Sequence, residues 1–284
     1  MFDWLTPNPV DGPRLRMLAA VLEGYRFTFR YAGKTLWLTL LPALCLTGIH
    51  FALFGFAPPS DDPEAALSVA MASLGEFPAL ILFITMAVVA WQRRILLGPE
   101  FAKMRFGRRE LRMLVTLLLL GLMIALGNVA AMTLVETIAG IMGEVENDMM
   151  VDITIVVINF ATAYVTGRLY FMLPPRAMDR KLSVGEAWDT SAGYGMKLTA
   201  VIVLAGFPLT VLSQFVSQVT MAALQNGAIP LLVGSTLLGY FLFMFSILVE
   251  AAALTICYAA LGGVGEILEA RGFETAQEPE LVPA

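Results

Sequence analysis

Between Leu231 and Leu261 the chain reads LLVGSTLLGYFLFMFSILVEAAALTICYAAL, a run with one acid, Glu250, and no basic residue. As a helix rising about 1.5 Å per residue, this run is longer than the ~30 Å hydrocarbon core of a bilayer, so it can tilt or extend past it. Working outward, five further apolar stretches lie at about residues 35–54, 77–97, 114–135, 153–173 and 198–216. All 18 Lys and Arg residues then fall on one side. Arg14, Arg16, Arg26, Arg30 and Lys34 precede the first stretch, and Arg93, Arg94, Lys103, Arg105, Arg108, Arg109 and Arg112 join the second to the third. Arg168, Arg176, Arg180, Lys181 and Lys197 join the fourth to the fifth, and Arg271 follows the sixth. The alternate loops carry none. Short loops rich in Lys and Arg stay cytoplasmic. The expectation is an all-α six-transmembrane-helix bundle in a cell inner membrane, with both termini cytoplasmic.

Composition agrees. A chain of 284 residues with 58% hydrophobic and 14% charged content, and a mean hydropathy of +0.77, lies outside the range of soluble domains. The expected outer loops hold only acids: Asp61, Asp62, Glu64 and Glu76, then Glu136, Glu144, Glu146, Asp148 and Asp152. The basic inner face suits the bilayer's anionic lipid headgroups, at ~1 kcal/mol per charge near the surface. Nucleic acid is not expected as a partner, because membrane insertion already explains these charges. Cys45 and Cys257 both fall in apolar stretches, so no disulfide is expected. His50 is the single histidine, near the outer end of the first span, and no hydrolase, metalloprotease or nucleotide-binding motif occurs. No cofactor, metal or catalytic residue is assigned. The outer acids lack the spacing of a calcium loop and read as a solvated surface.

The membrane domain is expected over residues 14–270. Residues 1–13 read as a disordered N-terminus without the basic and apolar pattern of a cleaved signal, so the first span serves as the insertion signal. Residues 271–284 read as a disordered acidic tail. Two amphipathic helices are expected in the inner headgroup region, at about 14–31 and 183–194. The first carries Leu15, Leu18 and Leu22 at helical spacing beside Tyr25, Arg26 and Arg30; the second opens on the capping-box pattern Ser183-Val184-Gly185-Glu186. Trp91 and Trp188 are expected as interface anchors, and Arg93 and Arg94 to snorkel to headgroups. Pro174 and Pro175 are expected to end the fourth helix, and Ala65–Leu74 to form a short outer surface helix.

An internal echo accompanies this layout. A shift of 163 positions lays Glu23 on Glu186, Tyr25 on Trp188, Thr28 on Ser191, Tyr31 on Tyr194 and Lys34 on Lys197. Each segment leads into a span holding one proline, Pro42 or Pro208. The echo is parallel. Duplication and convergence of two interfacial helices both account for it.

Inside the expected hydrocarbon, Glu250 is the one acid. A charged carboxyl there costs several kcal/mol, so it must be neutral, paired or beside water. Ser246 lies one turn away on the same face. Asn159 and Asn128 sit at comparable depth as hydrogen-bond candidates, and Arg168 is the cationic partner nearest in depth. The group reads either as a proton-coupling or substrate-binding carboxyl, or as a neutral Glu tying helices together.

The stretch Arg168-Leu169-Tyr170-Phe171-Met172-Leu173-Pro174, followed by Leu182-Ser183-Val184-Gly185-Glu186-Ala187-Trp188-Asp189-Thr190-Ser191, resembles a pattern in bacterial six-span inner-membrane proteins. These are the YciC-like proteins and the membrane domain fused to some glycerophosphodiester phosphodiesterases. The resemblance implies a fold and a membrane address, with no reaction, and the phosphodiesterase domain of the fusion has no counterpart here. Three readings follow. The first is a non-enzymatic membrane protein that organises lipids or membrane partners. The second is a small transporter or channel centred on Glu250, and the most distant is an intramembrane enzyme.

Overall fold

The computed structural model describes residues 16–55, 63–101, 103–142, 147–180 and 182–263, and all regular structure among them is helical. In chain order the α-helices are α1 (Met17–Arg30), α2 (Ala32–Phe54), α3 (Pro63–Leu96), α4 (Arg108–Met142), α5 (Asn147–Leu169), α6 (Leu173–Ala177), α7 (Val184–Thr190), α8 (Gly195–Gln225) and α9 (Ile229–Tyr258). Short 3₁₀ turns lie at Pro99–Phe101 and Tyr170–Met172, and α9 ends in a π-helical turn, Ala259–Gly263. Five segments are long and apolar enough to cross a membrane: Ala32–Phe54, Leu74–Leu96, Arg108–Gly127, Gly195–Gln225 and Ile229–Leu261. The expected fourth span falls on α5 and is not among these five; the side chains of its first half lie outside the described residues.

Helix α9 is the centre of the bundle and touches α1, α2, α3 and α8, while α4 and α5 pack on each other, on α3 and on α8. The tightest packing lies toward the basic end. One cluster joins Ala20 and Val21 of α1 to Leu198, Val201 and Ala205 of α8 and to Val249, Ala253 and Cys257 of α9. A second joins Phe27, Leu38, Trp91, Met113, Met244 and Leu248. Farther along, α4 and α8 leave Leu119, Leu126, Phe207 and Phe215 exposed. Lipid tails solvate such side chains as well as a protein core does, so nothing drives them inward.

Four local expectations are corrected. The separate outer helix at Ala65–Leu74 does not exist: α3 runs unbroken from Pro63 through Pro78, as a long helix held by neighbours can. Pro174 and Pro175 do not stop a helix; they occupy the first turn of α6, where a missing N–H costs nothing. Trp91 is no interface anchor. It is fully buried, edge-on to Phe27 at 5.3 Å, because α1 folds over the end of α3. Arg93 and Arg94 do not snorkel: Arg93 donates to the Ala177 carbonyl of α6 at 3.1 Å, and Arg94 lies over the ring of Tyr31, at the end of α1, at 4.3 Å.

The capping box forms as read. The Ser183 amide donates to Glu186 Oε2 at 2.7 Å and the Glu186 amide to Ser183 Oγ at 3.2 Å. The helix is shorter than expected, ending at Thr190, because a turn through Gly193 at φ +76° redirects the chain into α8. The Ser183 N–H, then its hydroxyl, hold the Glu186 carboxyl below its usual 4.5. A depressed folded value means the cap's contribution is present above that usual value and is lost as pH falls through the folded one. Hydrogen exchange at Ser183–Ala187, compared with Glu186→Gln at each pH, should show protection in the wild type at neutral pH that vanishes in acid. Equal exchange of the two proteins at neutral pH would exclude a working cap.

Candidate functional site

Glu250 lies in the seam between α8 and α9. One turn earlier on the same face, Ser246 donates its hydroxyl to Glu250 Oε1 at 2.8 Å. Across the seam stands Gly206 of α8, where an added methyl would collide with Oε1. The glycine therefore lets the carboxyl lie flat against the neighbouring helix. On the basic side of this pair, α1 crosses the seam and is fixed to both walls. Gly24 meets Ala253, a Cβ on it falling 3.2 Å from the Ala253 Cβ, and the Tyr25 hydroxyl donates to the Ala205 carbonyl at 2.7 Å. Burial, and then the proximity of the Glu250 carboxyl, raise the Tyr25 phenol above its usual value. The carboxyl is thus about one turn beneath the helix that straps the seam.

Away from the strap the seam widens into a groove of about 180 Å³ lined by Leu209, Thr210, Ser213, Leu242, Phe243, Ser246, Ile247 and Glu250. Its mouth is on the flank of the bundle, where Thr210 and Phe243 are exposed. Its hydroxyls have already donated their protons: Thr210 to the Gly206 carbonyl at 3.1 Å, Ser213 to the Thr210 carbonyl at 2.8 Å, and Ser246 to Glu250. Toward an occupant these three hydroxyls present oxygen acceptors in an apolar wall.

Of the residues expected around Glu250, the structure brings in Ser246. Arg168 is elsewhere. It is buried where α5 meets α7, with Nε donating to Ser191 Oγ at 3.0 Å, Nη2 donating to the Trp188 carbonyl, and its guanidinium 3.6 Å above the Trp188 ring. Depth along a helix placed it near Glu250, but it points to the other side of α5. Asn128 and Asn159 lie on the backbones of α4 and α5, and their side chains fall outside the described residues. In the echo, Tyr25 and Trp188 each fasten their short helix, by different means: a hydrogen bond to α8 and a stack under Arg168.

Two groups escaped the sequence reading. His50, Glu76 and Tyr240 converge from α2, α3 and α9, with His50 Nδ1 3.4 Å from Glu76 Oε2 and 3.1 Å from the Tyr240 hydroxyl, which also donates to Glu76. His50 is therefore not solitary; comparable depth from the acidic end on the expected spans was the available signal. At the basic end, a cleft of about 400 Å³ is lined by Arg105, Phe106, Gly107, Arg108, Arg109, Glu110 and Asp179. Asp179, in the left-handed region at φ 65°, accepts from Arg109 Nε at 2.6 Å, whereas Arg105 and Arg108 are exposed. Among the described residues no group of three or more His, Cys, Asp or Glu could hold a metal ion.

No family model matches the chain, nor does any curated protein or solved structure. Its class rests on its own geometry: a multi-pass helical membrane protein with a carboxyl-bearing groove on the side of the bundle.

Proposed function

We propose that this is a non-enzymatic protein of a bacterial inner membrane that organises lipids. The reading includes six spans, with α5 as the fourth, and a basic, cytoplasmic end where α1 and α7 lie in the headgroup region. The observation that carries it is the direction of the groove. With α1 strapped across its basic side and Phe243 at an open flank, the Glu250 site faces laterally, toward lipid. A transporter or channel built on Glu250 draws on the same carboxyl, but needs access along the bundle axis, which the strap crosses. At the basic end, exposed Arg105 and Arg108 flank an exposed Phe106, a combination suited to phosphate heads and the first methylenes of acyl chains.

The test is lipid retention. The full-length protein is reconstituted in mixed phosphatidylethanolamine and phosphatidylglycerol bilayers and released into mild detergent, and its bound lipid is weighed by mass spectrometry. Phosphatidylglycerol should be enriched about fivefold over its bulk share, as ~1 kcal/mol per basic charge requires, and Arg105→Gln with Arg108→Gln should reduce that enrichment. Retained lipid of bulk composition would overturn the reading.

A further inference from the structure

We infer that the cleft at the start of α4 seats an anionic phosphate, and that the chain's own Asp179 holds that seat until a phosphate displaces it. This deepens the lipid-organising reading and rests on it. Asp179 follows α6 as the C′ residue of a Schellman cap: its N–H donates to the Arg176 carbonyl at 3.1 Å, and the Arg180 N–H donates to the Pro175 carbonyl at 2.9 Å. Glycine is usual at that position because φ is positive there. Asp179, at φ 65°, is the one non-glycine with a positive φ among the described residues. The cap is complete without a side chain, so the carboxylate is explained by what it meets rather than by the turn. It meets the guanidinium of Arg109, and Arg112 lies one turn further along α4.

The carboxylate fills this seat poorly. Nε and Nη2 of Arg109 both donate to the single oxygen Oδ2, whereas a matched fork places one bond on each oxygen. Oδ1 is 3.8 Å from Arg112 Nη1, beyond hydrogen-bond reach. The Asp179 side chain is 38% exposed, and an ion pair so open to solvent contributes little that a competing anion has to replace. A phosphate offers more oxygens to the same donors. It also gains the exposed Arg105 and Arg108 on the cleft wall. The first N–H groups of α4 face the same end, ahead of the helix's first bond, from the Leu111 N–H to the Gly107 carbonyl. With Asp179 displaced, Glu110 is the one acid left among the residues of the cleft wall. At a bilayer surface the phosphate at hand is that of an anionic lipid.

The test compares phosphatidylglycerol retention by full-length wild type, Asp179→Gly and Asp189→Asn, at physiological salt and from bilayers in which that lipid is a minor component. Glycine suits the positive φ, so Asp179→Gly removes the carboxylate and keeps the cap. Asp179→Asn, which also tolerates this backbone, gives the same neutralisation if the glycine variant unfolds. Enrichment in the neutralised protein should exceed wild type about fivefold, and adding Arg109→Gln with Arg112→Gln should abolish the gain. Asp189→Asn makes the same change of charge at an exposed residue outside the cleft and should stay near wild type. The inference is overturned if neutralising Asp179 gives no gain, or if Asp189→Asn gains equally, which would make the effect one of net charge. Inorganic phosphate separates the two sources of the group. If millimolar phosphate strips the lipid held by Asp179→Gly, the seat takes a soluble phosphate and the lipid assignment fails; undiminished retention supports it. Wild-type enrichment without a gain in Asp179→Gly leaves the broader reading standing, whereas lipid of bulk composition on both proteins removes the reading and the inference together.

Discussion

Arg168→Ala should lower the stability of the folded protein by about 2–4 kcal/mol and release α7 from the bundle. Arg168 is 6% exposed, and its guanidinium donates from Nε to Ser191 Oγ at 3.0 Å, from Nη2 to the Trp188 carbonyl and from Nη1 to the Tyr164 hydroxyl at 3.4 Å, with the cation 3.6 Å above the Trp188 ring. Truncation leaves the buried Ser191 Oγ without its donor and the Trp188 carbonyl with the Ser191 hydroxyl alone, at about 1–3 kcal/mol, and removes a partly desolvated cation–π contact of up to ~2 kcal/mol. Arg168→Lys should recover little, since a point charge cannot reproduce a planar fork that bonds and stacks at once. Ser191→Ala, which removes one acceptor and leaves the stack, should cost about 1 kcal/mol. Thermal unfolding in detergent reads the stability, and Trp188 fluorescence reads the detachment. An Arg168→Ala protein as stable as wild type, with unchanged emission, would mean that α7 is held by something other than this arginine.

The same arginine shows where sequence reasoning stops. The capping box at Ser183 and the i,i+4 pair Ser246–Glu250 are consequences of local spacing, and each was readable because helix geometry converts spacing into position. Apolar run length located the five membrane-capable segments for a similar reason, since length along a helix is a one-dimensional quantity. Pairing Arg168 with Glu250 required the direction in which each side chain leaves its helix axis, relative to neighbours that hydropathy does not identify. Arg168 and Glu250 share a depth and face different helices. Trp91 failed as an anchor on the same ground: its place at a span end predicts lipid headgroups around it, and α1 covers it instead. His50, Glu76 and Tyr240 are the converse case, residues of matched depth that do meet. The strap across the α8–α9 seam follows from Gly24, which reads as an ordinary helical glycine until Ala253 is placed against it.

That glycine carries the second large effect. Gly24→Leu should push α1 off α9, because even a Cβ would sit 3.2 Å from both the Cβ and the backbone nitrogen of Ala253, and the leucine adds three more carbons in the same direction. Overpacking of this kind costs about 1–3 kcal/mol, and tilting α1 away also breaks the bond from Tyr25 to the Ala205 carbonyl, about 1 kcal/mol more. Gly33→Ala is the control: nothing lies within 4 Å of its Cβ, so it should be neutral or stabilising by up to about 1 kcal/mol through helix propensity. Cys257 supplies a local readout. It is fully buried in the cluster that includes Ala20 and Val21 of α1, and Cys45→Ser leaves it as the only thiol. In that background a small membrane-permeant maleimide should label Cys257 slowly in the parent and rapidly in Gly24→Leu, with Gly33→Ala resembling the parent. Rapid labelling together with a lowered unfolding midpoint would mean that the strap is what closes the basic side of the Glu250 seam. Slow labelling in Gly24→Leu would mean that α1 re-packs around the larger side chain. The seam's closure would then belong to α8 and α9 alone, with Gly206 as the contact that sets its width.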